Sequence, residues 1–235
     1  KQMIIVDYLS LLKKKLRSKK ESYSFGTIDI LVNYFFKNKS NGFFVDVGCS
    51  NPISNNNTFL LYKNKNWSGI NIDLDQKNID LFNLIRKRDI NIKAAVSSGS
   101  FKKKIYFYHS KSSINTMEKK VSSYQKAKVK KIVNTNTVTL NSLLVKNNIK
   151  KIDFLTIDVE GHEIDVLKGF DIKKYSPSLV VIEFLDLKMK KLEFYNNSIK
   201  NILSSNIYKY FIKNNYSLIN WNHADLVFVN NSLKD

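Results

Sequence analysis

The spacing of apolar and polar residues is most informative between residues 43 and 60. Four of the five residues in Phe43–Val47 are apolar β-formers, which predicts a short buried strand. Gly48 ends that run, and a polar stretch leads into the helical pattern that begins near Thr58. A strand that turns through glycine into a helix directs backbone N–H groups at whatever lies above it. This stretch therefore predicts a turn for a nucleotide-like ligand, although any α/β protein also reverses direction this way.

The rest of the pattern alternates between strand-like and helix-like segments. Strands are predicted at 67–73, 90–96, 105–108, 152–157 and 177–184, and helices at 3–20, 76–88, 138–147 and 198–214. Segments 216–221 and 226–230 are typical of an antiparallel hairpin. The fold class is therefore α/β, with a mainly parallel sheet flanked by helices and a closing antiparallel hairpin.

Two lysine-rich regions interrupt this regular alternation. Residues 1–22 are predicted to form a basic amphipathic helix that packs on the domain, and peripheral binding to an anionic membrane is the alternative. Residues 23–235 are predicted to form one domain. Within it, a lysine-rich excursion at about residues 100–135 has a sequence that does not define its fold.

Charge and cysteine content limit the partners and the compartment. The chain has 39 Lys+Arg against 20 Asp+Glu, a net charge of +19, which favours contact with polyanions. Nearly all of these cations are lysine, whereas specific base recognition usually uses arginine, so no specific nucleic-acid partner is expected. The single cysteine, Cys49, excludes a disulfide framework and indicates a reducing compartment, so we expect a cytoplasmic protein.

Acidic residues follow several of the predicted strands. Asp73, Asp158 and Glu183 each stand at the end of one, as Gly48 does. In an open parallel sheet, ligands bind at the carboxyl ends of the strands, where the strand order reverses. Asp73 lies 25 positions after Gly48 (73 − 48 = 25), close to the ~20-residue offset of the acid that binds ribose hydroxyls. These placements predict one site at that edge.

Two motifs in this order carry a family resemblance. FVDVGCSNP begins at Phe44 and IDFLTIDVEGHEIDVLKGF begins at Ile152. Together with TLNSLL and PSLVVIEF they resemble the FkbM-type methyltransferases over about residues 23–230. The resemblance implies a class I, Rossmann-like methyltransferase fold. It also implies transfer of a methyl group from S-adenosyl-L-methionine, mostly to oxygen, with S-adenosyl-L-homocysteine as product.

The resemblance also implies a cofactor site. Gly48, Cys49 and Ser50 would contact the methionine and ribose parts, and Asp46 would orient their loop. Asp73 would bind the ribose hydroxyls. The full implied cofactor-binding set is Asp46, Gly48, Cys49, Ser50, Asp73, Ala95, Val96 and Asp158, with Ala95 and Val96 beside the adenine.

The loop after the strand at 152–157 holds the candidate catalytic residues Asp158, Glu160 and His162. An imidazole titrates nearest neutrality, so His162 is the first candidate for a general base, with an acid to orient it. An exposed residue at the start of a helix, without a catalytic role, is an equally weighted alternative. No metal is expected, and the alternative is magnesium bound by Asp158, Glu183 and Asp186.

These observations predict an O-methyltransferase that acts on a hydroxyl of a sugar or of a glycan or polysaccharide precursor. An RNA methyltransferase that uses the basic surface, methylation of a small secondary metabolite, and a non-catalytic scaffold on the same fold remain alternatives. The acceptor is left open by the fold. The oligomeric state is also open, with a homodimer among the alternatives.

Overall fold

The protein is described here by a computed structural model that covers residues 8–13, 22–109, 112–124, 128–185 and 198–233. Residues 8–13 are helical, and Leu11 is buried in a cluster with Tyr23 and Phe59. The rest of the helix predicted over residues 1–22 lies outside the described ranges, as does Asp186, so both stay predictions. None of the described helices combines the length and the apolar character that crossing a bilayer requires.

The strands are β1 Phe43–Val47, β2 Ser68–Asp73, β3 Ile90–Lys93, β4 Ala95–Val96, β5 Lys102–Phe107, β6 Lys131–Val138, β7 Phe154–Ile157, β8 Leu179–Glu183, β9 Tyr216–Asn222 and β10 Asp225–Asn230. The helices are α1 Ile28–Phe35, α2 Phe59–Asn64, α3 Gln76–Ile85, α4 Lys119–Tyr124, α5 Leu140–Lys146, α6 Glu163–Lys168, α7 Ile172–Tyr175, α8 Ile199–Ser204 and α9 Asn206–Lys213.

A seven-stranded sheet with the order β3-β2-β1-β7-β8-β10-β9 forms the centre of the described structure. Strands β3, β2, β1, β7 and β8 are parallel, and β10 pairs antiparallel with both β8 and β9. This confirms the α/β class, the mainly parallel sheet and the closing hairpin. The strand order reverses between β1 and β7, so the carboxyl ends of these strands border the crevice that binds ligands in such sheets.

Both faces of the sheet are covered, which explains the near-continuous apolar strands. Val45 and Val47 of β1 point into one core, which also contains Leu144 of α5 and Val166 of α6. Phe44 points the other way, into a second core. That core contains residues of α1 and β8 with Trp67, and its members include Ile28, Val32, Trp67, Phe154 and Val181.

The predicted strand 90–96 is wrong as one strand. It ends in the central sheet at Lys93, and Ala94 then donates its N–H to the Asp73 carbonyl oxygen at 3.0 Å. Residues 95–96 form β4 of a separate three-stranded sheet with the order β4-β6-β5. The local sequence does not show this change because it depends on pairing with β6, some 40 residues later.

The predicted helix 198–214 is also wrong as one helix, because it is divided into α8 and α9 at Ser205. Ser205 has extended backbone dihedrals (φ −67°, ψ 153°), and its hydroxyl accepts a hydrogen bond from the N–H of Tyr208 at 3.1 Å. Serine favours such a cap because its hydroxyl satisfies an N–H that the first helical turn leaves unpaired.

Candidate active site

The turn after β1 brings three neighbouring strands together. Gly48 has a left-handed backbone (φ 88°), and a Cβ there would overlap the carbonyl oxygen of Asp158, which follows β7. The Gly48 N–H donates to the carbonyl oxygen of Ile72 in β2 at 2.9 Å. Only glycine combines this dihedral angle with this close approach of backbone to backbone.

A buried polar network fixes the loop that follows the turn. The Asp46 carboxyl accepts hydrogen bonds from Asn56 Nδ2 at 3.1 Å and Thr58 Oγ1 at 3.3 Å, and Asn56 Nδ2 also reaches the Cys49 carbonyl at 3.3 Å. Arg86 is buried beneath this loop and donates to Thr58 Oγ1 at 3.0 Å. Burial raises the pKa of Asp46 to about 7, although the Arg86 charge opposes this. The geometry fits the predicted role of Asp46, which is to orient the loop.

The side chain of Cys49 lies away from the cavity described below. It is buried in a cluster with Ile79 and Phe82, and burial raises the pKa of its thiol. A neutral, buried thiol is a poor nucleophile. Any contact of Cys49 with a ligand would therefore involve its backbone.

Asp73 is held in place by two backbone donors. Its Oδ2 accepts from the Ser50 N–H at 2.9 Å, and its Oδ1 accepts from the Asp75 N–H at 2.7 Å. Burial raises the pKa of Asp73 to about 6, and these hydrogen bonds limit the rise. The Asn78 side chain also donates to this carboxylate, which leaves it room for a further donor, such as a ribose hydroxyl.

A small cavity of about 40 Å³ lies above the turn, and we call it the switch-point cavity. Its walls include Gly48, Ser50, Asp73, Val96, Asn115 and Asp158. It shares Leu74 and Ala94 with a second space of about 660 Å³, the basic cleft, whose lining includes Ala95, Lys77, Lys93, Lys130 and Lys131. Small-molecule sites usually measure ~300–1,000 Å³, so a nucleoside-sized ligand needs the volume of the basic cleft as well. Ser50, Asp73, Val96 and Ala95 thus border these connected spaces.

Three carboxyl groups meet at the ends of β7 and β8. Oxygens of Asp158, Glu160 and Glu183 lie within 4.8 Å of one another, and Asp158 and Glu183 share a hydrogen bond. Asp158 is an exposed residue, yet desolvation by the surrounding protein raises its pKa to about 6, and the hydrogen bond with Glu183 limits the rise. Burial, with repulsion from neighbouring acids, raises the pKa values of Glu160 and Glu183 well above the usual range. Near neutral pH the carboxyl cluster therefore carries less negative charge than three separate carboxylates would.

The loop that carries this cluster is braced from two sides. Glu163 Oε1 accepts from the N–H groups of Val159 at 3.1 Å and Gly161 at 3.0 Å. Thr116 Oγ1, in the lysine-rich excursion, donates to the Glu160 carbonyl oxygen at 2.8 Å. Glu160 and Gly161 both have left-handed backbones, with φ values of 56° and 90°. These contacts hold the loop in a conformation that an L-residue such as Glu160 seldom adopts.

His162 is only 1% exposed, so it is not the exposed helix-start residue of the structural alternative. Its Nδ1 is 2.7 Å from Glu118 Oε1 and 3.1 Å from Lys103 Nζ, and its Nε2 is 2.9 Å from the Ser97 hydroxyl. Lys103 Nζ donates to the same Glu118 oxygen at 2.7 Å. The structure therefore brings Asp158 and Glu160 together and separates His162 from them.

The metal alternative is only partly represented in the described residues. Asp158 and Glu183 are close, and Glu160 takes the third position in place of Asp186, which lies outside the described ranges. A second group, Glu118, His162 and Asp165, already has the Lys103 ammonium on its glutamate. The expectation that the protein binds no metal stays a prediction.

Sequence reasoning did not single out several residues that shape this site. Glu163 could have been recognised, because an acid at the first helical turn after a glycine commonly accepts backbone N–H groups. Arg86 pairs locally with Asp89, but its contact with the loop, through Thr58, spans 28 residues, and Glu118 meets His162 across 44 residues. Asn115 borders a cavity whose other walls come from distant segments, so the local sequence did not mark it.

One family model covers most of the chain. The model of the Methyltransferase FkbM domain matches residues 46–210. A TehB-like SAM-dependent methyltransferase from Corynebacterium glutamicum ATCC 13032 Kitasato is 11% identical, with a TM-score of 0.46 over 98% of this chain and 100% of that one. A candidate RNA methyltransferase from Pyrococcus horikoshii is 9% identical, with a TM-score of 0.40 over 91% of each chain. No curated protein sequence matches significantly.

Proposed function

We propose that this chain, which belongs to the FkbM methyltransferase family, methylates a neutral hydroxyl of a sugar or glycan precursor. The enzyme is an S-adenosylmethionine-dependent methyltransferase with a class I α/β fold. The proposal concerns the acceptor and the atom that receives the methyl group.

The residues at the switch point fit the cofactor. The absence of a Cβ at Gly48 leaves the turn open beside the Asp158 backbone, and Ser50 and Asp73 form an anchored pair at the cavity wall. Asp73 would bind the ribose hydroxyls, and the turn at Gly48 would pack against the amino-acid part. When bound, the cofactor supplies an electrophilic methyl group on a positively charged sulfur.

The carboxyl cluster is the observation that carries the choice of a hydroxyl acceptor. A hydroxyl must lose its proton as it is methylated, and a carboxylate within hydrogen-bond reach can take it. Asp158, with a pKa of about 6, is ionised at neutral pH and is a stronger base than an ordinary aspartate. Glu183 shares a hydrogen bond with Asp158 and would hold it in position, because burial and neighbouring acids raise the pKa of Glu183 and favour the protonated form that donates.

The space next to the cluster favours an uncharged polyhydroxyl acceptor. A cavity of about 280 Å³, the side cavity, begins at Gly161 and at Phe184, which follow Glu160 and Glu183 in the chain. Its described lining includes one acid, Glu163, whose pKa burial raises to about 7. The other side chains are apolar, such as Phe184 and Leu185, or neutral and polar, namely Asn201, Ser204, Ser205 and Asn206. The nearby carboxylates would repel an anionic group brought to the same edge.

Methyl transfer to a panel of acceptors tests the proposal. We would incubate the enzyme with methyl-labelled S-adenosylmethionine and free sugars, nucleotide-activated sugars, oligosaccharides or total RNA. We expect label in a sugar as a methyl ether. Label only in RNA would contradict the proposal and would favour the RNA alternative, for which the lysines of the basic cleft are the supporting observation.

Asp158→Asn tests the base. We expect turnover to fall by about 10²-fold or more, because the amide cannot take the proton. Binding of S-adenosylmethionine should weaken as well, because a charge near the sulfonium is lost. Asp80→Asn is the matched control, since Asp80 accepts an exposed hydrogen bond from Gln76 away from the cluster. Equal turnover in Asp158→Asn and Asp80→Asn would exclude Asp158 as the base.

A further inference from the structure

Asn115 is an unusual residue in the wall of the switch-point cavity. It is only 8% exposed, and its Oδ1 accepts a hydrogen bond from the Tyr108 N–H at 3.1 Å. Its Nδ2 is buried and has no hydrogen-bond partner among the residues that the structure describes. A buried N–H donor without a partner is destabilising, so its presence here needs an explanation.

The surroundings indicate what kind of partner is missing. Nδ2 can only donate, so its partner must be a hydrogen-bond acceptor. The same cavity is lined by Asp73, which would bind ribose hydroxyls, and by Leu74 and Ala94, which continue into the basic cleft. Asn115 is linked to that cleft through its bond to Tyr108, which lines it.

We propose that Asn115 binds the adenosine part of the cofactor, with its Nδ2 donating to an acceptor atom of the ribose or the base. The inference rests on the methyltransferase assignment in the proposed function, but not on the identity of the acceptor. Asn115 belongs to the lysine-rich excursion rather than to the central sheet. It would make this excursion part of the cofactor site, on the face opposite the Gly48 turn.

Asn115→Asp removes the donor. The aspartate keeps an oxygen for the Tyr108 N–H, loses the amide donor and adds a carboxylate charge. We expect calorimetry to show about tenfold weaker binding of S-adenosylhomocysteine, the ordinary loss for one hydrogen bond to a ligand. Binding of 5′-methylthioadenosine should weaken equally, because that molecule retains the adenosine and lacks the amino acid. The melting temperature of the unliganded protein should stay near that of the wild type.

Two further variants separate the lost donor from the added charge. Ser113→Asp places a carboxylate on an exposed residue of the same cavity wall and leaves the Asn115 amide intact, so its loss of affinity should be smaller. Asn115→Ala adds no charge and should still weaken both ligands about tenfold. Equal losses in Ser113→Asp and Asn115→Asp, with none in Asn115→Ala, would overturn the inference.

The remaining outcomes also decide the matter. Wild-type affinity of Asn115→Asp for both ligands would overturn the inference while leaving the methyltransferase assignment intact. Loss of S-adenosylhomocysteine binding with unchanged 5′-methylthioadenosine binding would overturn the assignment to adenosine. A wild-type enzyme that binds both ligands but methylates no sugar would refute only the proposed acceptor. A wild type that binds neither ligand would refute the inference along with the cofactor site.

Discussion

The acidic edge of the sheet and the lysine-rich excursion differ in how they are built. The acidic edge consists of Asp73, Asp158, Glu160 and Glu183 at the carboxyl ends of β2, β7 and β8. In a chain with a net charge of +19, these carboxyl groups have raised pKa values because the protein desolvates them and places several of them together. The excursion is basic and largely exposed, yet it contacts the same loop through Thr116.

The two regions contribute different things to the candidate site, the acidic edge its carboxyl groups and the excursion the contacts that support their loop. Sheet topology brings the carboxyl groups of the acidic edge together, because parallel strands end at one side. The excursion adds long-range contacts, from Thr116 to the Glu160 carbonyl and from Glu118 to His162. The core therefore provides the carboxyl groups, and the inserted segment holds the loop that carries two of them, Asp158 and Glu160.

The largest effect should come from a methyl group added at the edge. Gly48→Ala would force a Cβ into the Asp158 carbonyl at a left-handed φ of 88°, and we expect a loss of stability on the order of 3 kcal/mol or more. Binding of S-adenosylhomocysteine should be lost as well. Urea unfolding and calorimetry measure the two effects.

Gly99→Ala is the matched control at the entrance to the excursion. A Cβ at Gly99 would meet only the Phe101 ring at 3.5 Å, an ordinary contact, so its stability should stay within about 0.5 kcal/mol of the wild type. Similar behaviour of the two variants would show that the turn tolerates a side chain and that the edge is no more constrained than the excursion.

A smaller effect on catalysis is expected from His162→Ala, which breaks the contact between the two regions. The ring of His162 is buried, with Glu118 and Lys103 at Nδ1 and Ser97 at Nε2, so neither nitrogen is open to a substrate. We expect turnover to fall less than tenfold, with an unshifted pH–rate profile. Stability should fall by about 2–3 kcal/mol, because buried partners lose their hydrogen bonds.

Glu118→Gln is the companion variant. It keeps an oxygen for the His162 N–H and removes the ion pair with Lys103, so it should cost less stability than His162→Ala. The sequence-based prediction of His162 as a general base requires a loss of about 10²-fold or more. Such a loss of turnover in a folded His162→Ala variant would contradict our expectation that His162 only connects the excursion to the loop after β7. The pH profile alone does not discriminate, because Asp158 titrates near pH 6 and an ordinary imidazole near pH 6.5.

The sequence predicted what depends on local pattern and sheet topology. Gly48, Asp73, Asp158 and Glu183 were expected at one edge because each follows an apolar run, and in the structure they lie there. The burial of His162 could not be predicted, because its partners Ser97 and Glu118 come from segments 65 and 44 residues away.

The excursion was less predictable for the same physical reason. Strand β6 is polar and alternating (KIVNTNTV), and its stability comes from pairing with β5 and β4 rather than from an apolar run. β-Propensity reflects such neighbours more than the backbone preference of each residue, so one sequence window carries little of it. The role proposed for Asn115 could not be predicted from the local pattern or from the sheet topology. It depends on the unpaired Nδ2 and on the position of Asn115 in the cavity wall, which only the structure shows.

The smallest effect should be a pH dependence of stability that comes from Glu163, which braces the loop of the acidic edge, and not from Glu118 in the excursion. Burial raises the pKa of Glu163 to about 7 from an ordinary value of 4.5. Between these values the unfolded chain releases its proton while the folded protein keeps it, so the contribution of Glu163 to stability falls as pH rises and is lost above about pH 7. The Glu118 pKa behaves in the opposite way. Burial favours a rise, but the hydrogen bonds from His162 and Lys103 hold it below 4.5, so Glu118 affects stability only in more acidic solution.

Glu163→Gln sharpens this contrast, because its amide oxygen can still accept from Val159 and Gly161 while the titration is removed. We expect the unfolding free energy of the wild type to fall, relative to that of Glu163→Gln, by on the order of 1 kcal/mol between pH 5.5 and pH 8. Over the same range, Glu118→Gln should follow the wild type in parallel, because the titration it removes lies below the window. Urea unfolding at each pH measures the differences. If the unfolding free energies of the wild type and of Glu163→Gln run parallel from pH 5.5 to 8, Glu163 is already ionised in the folded protein over this range. Burial would then not raise the pKa of Glu163 as expected.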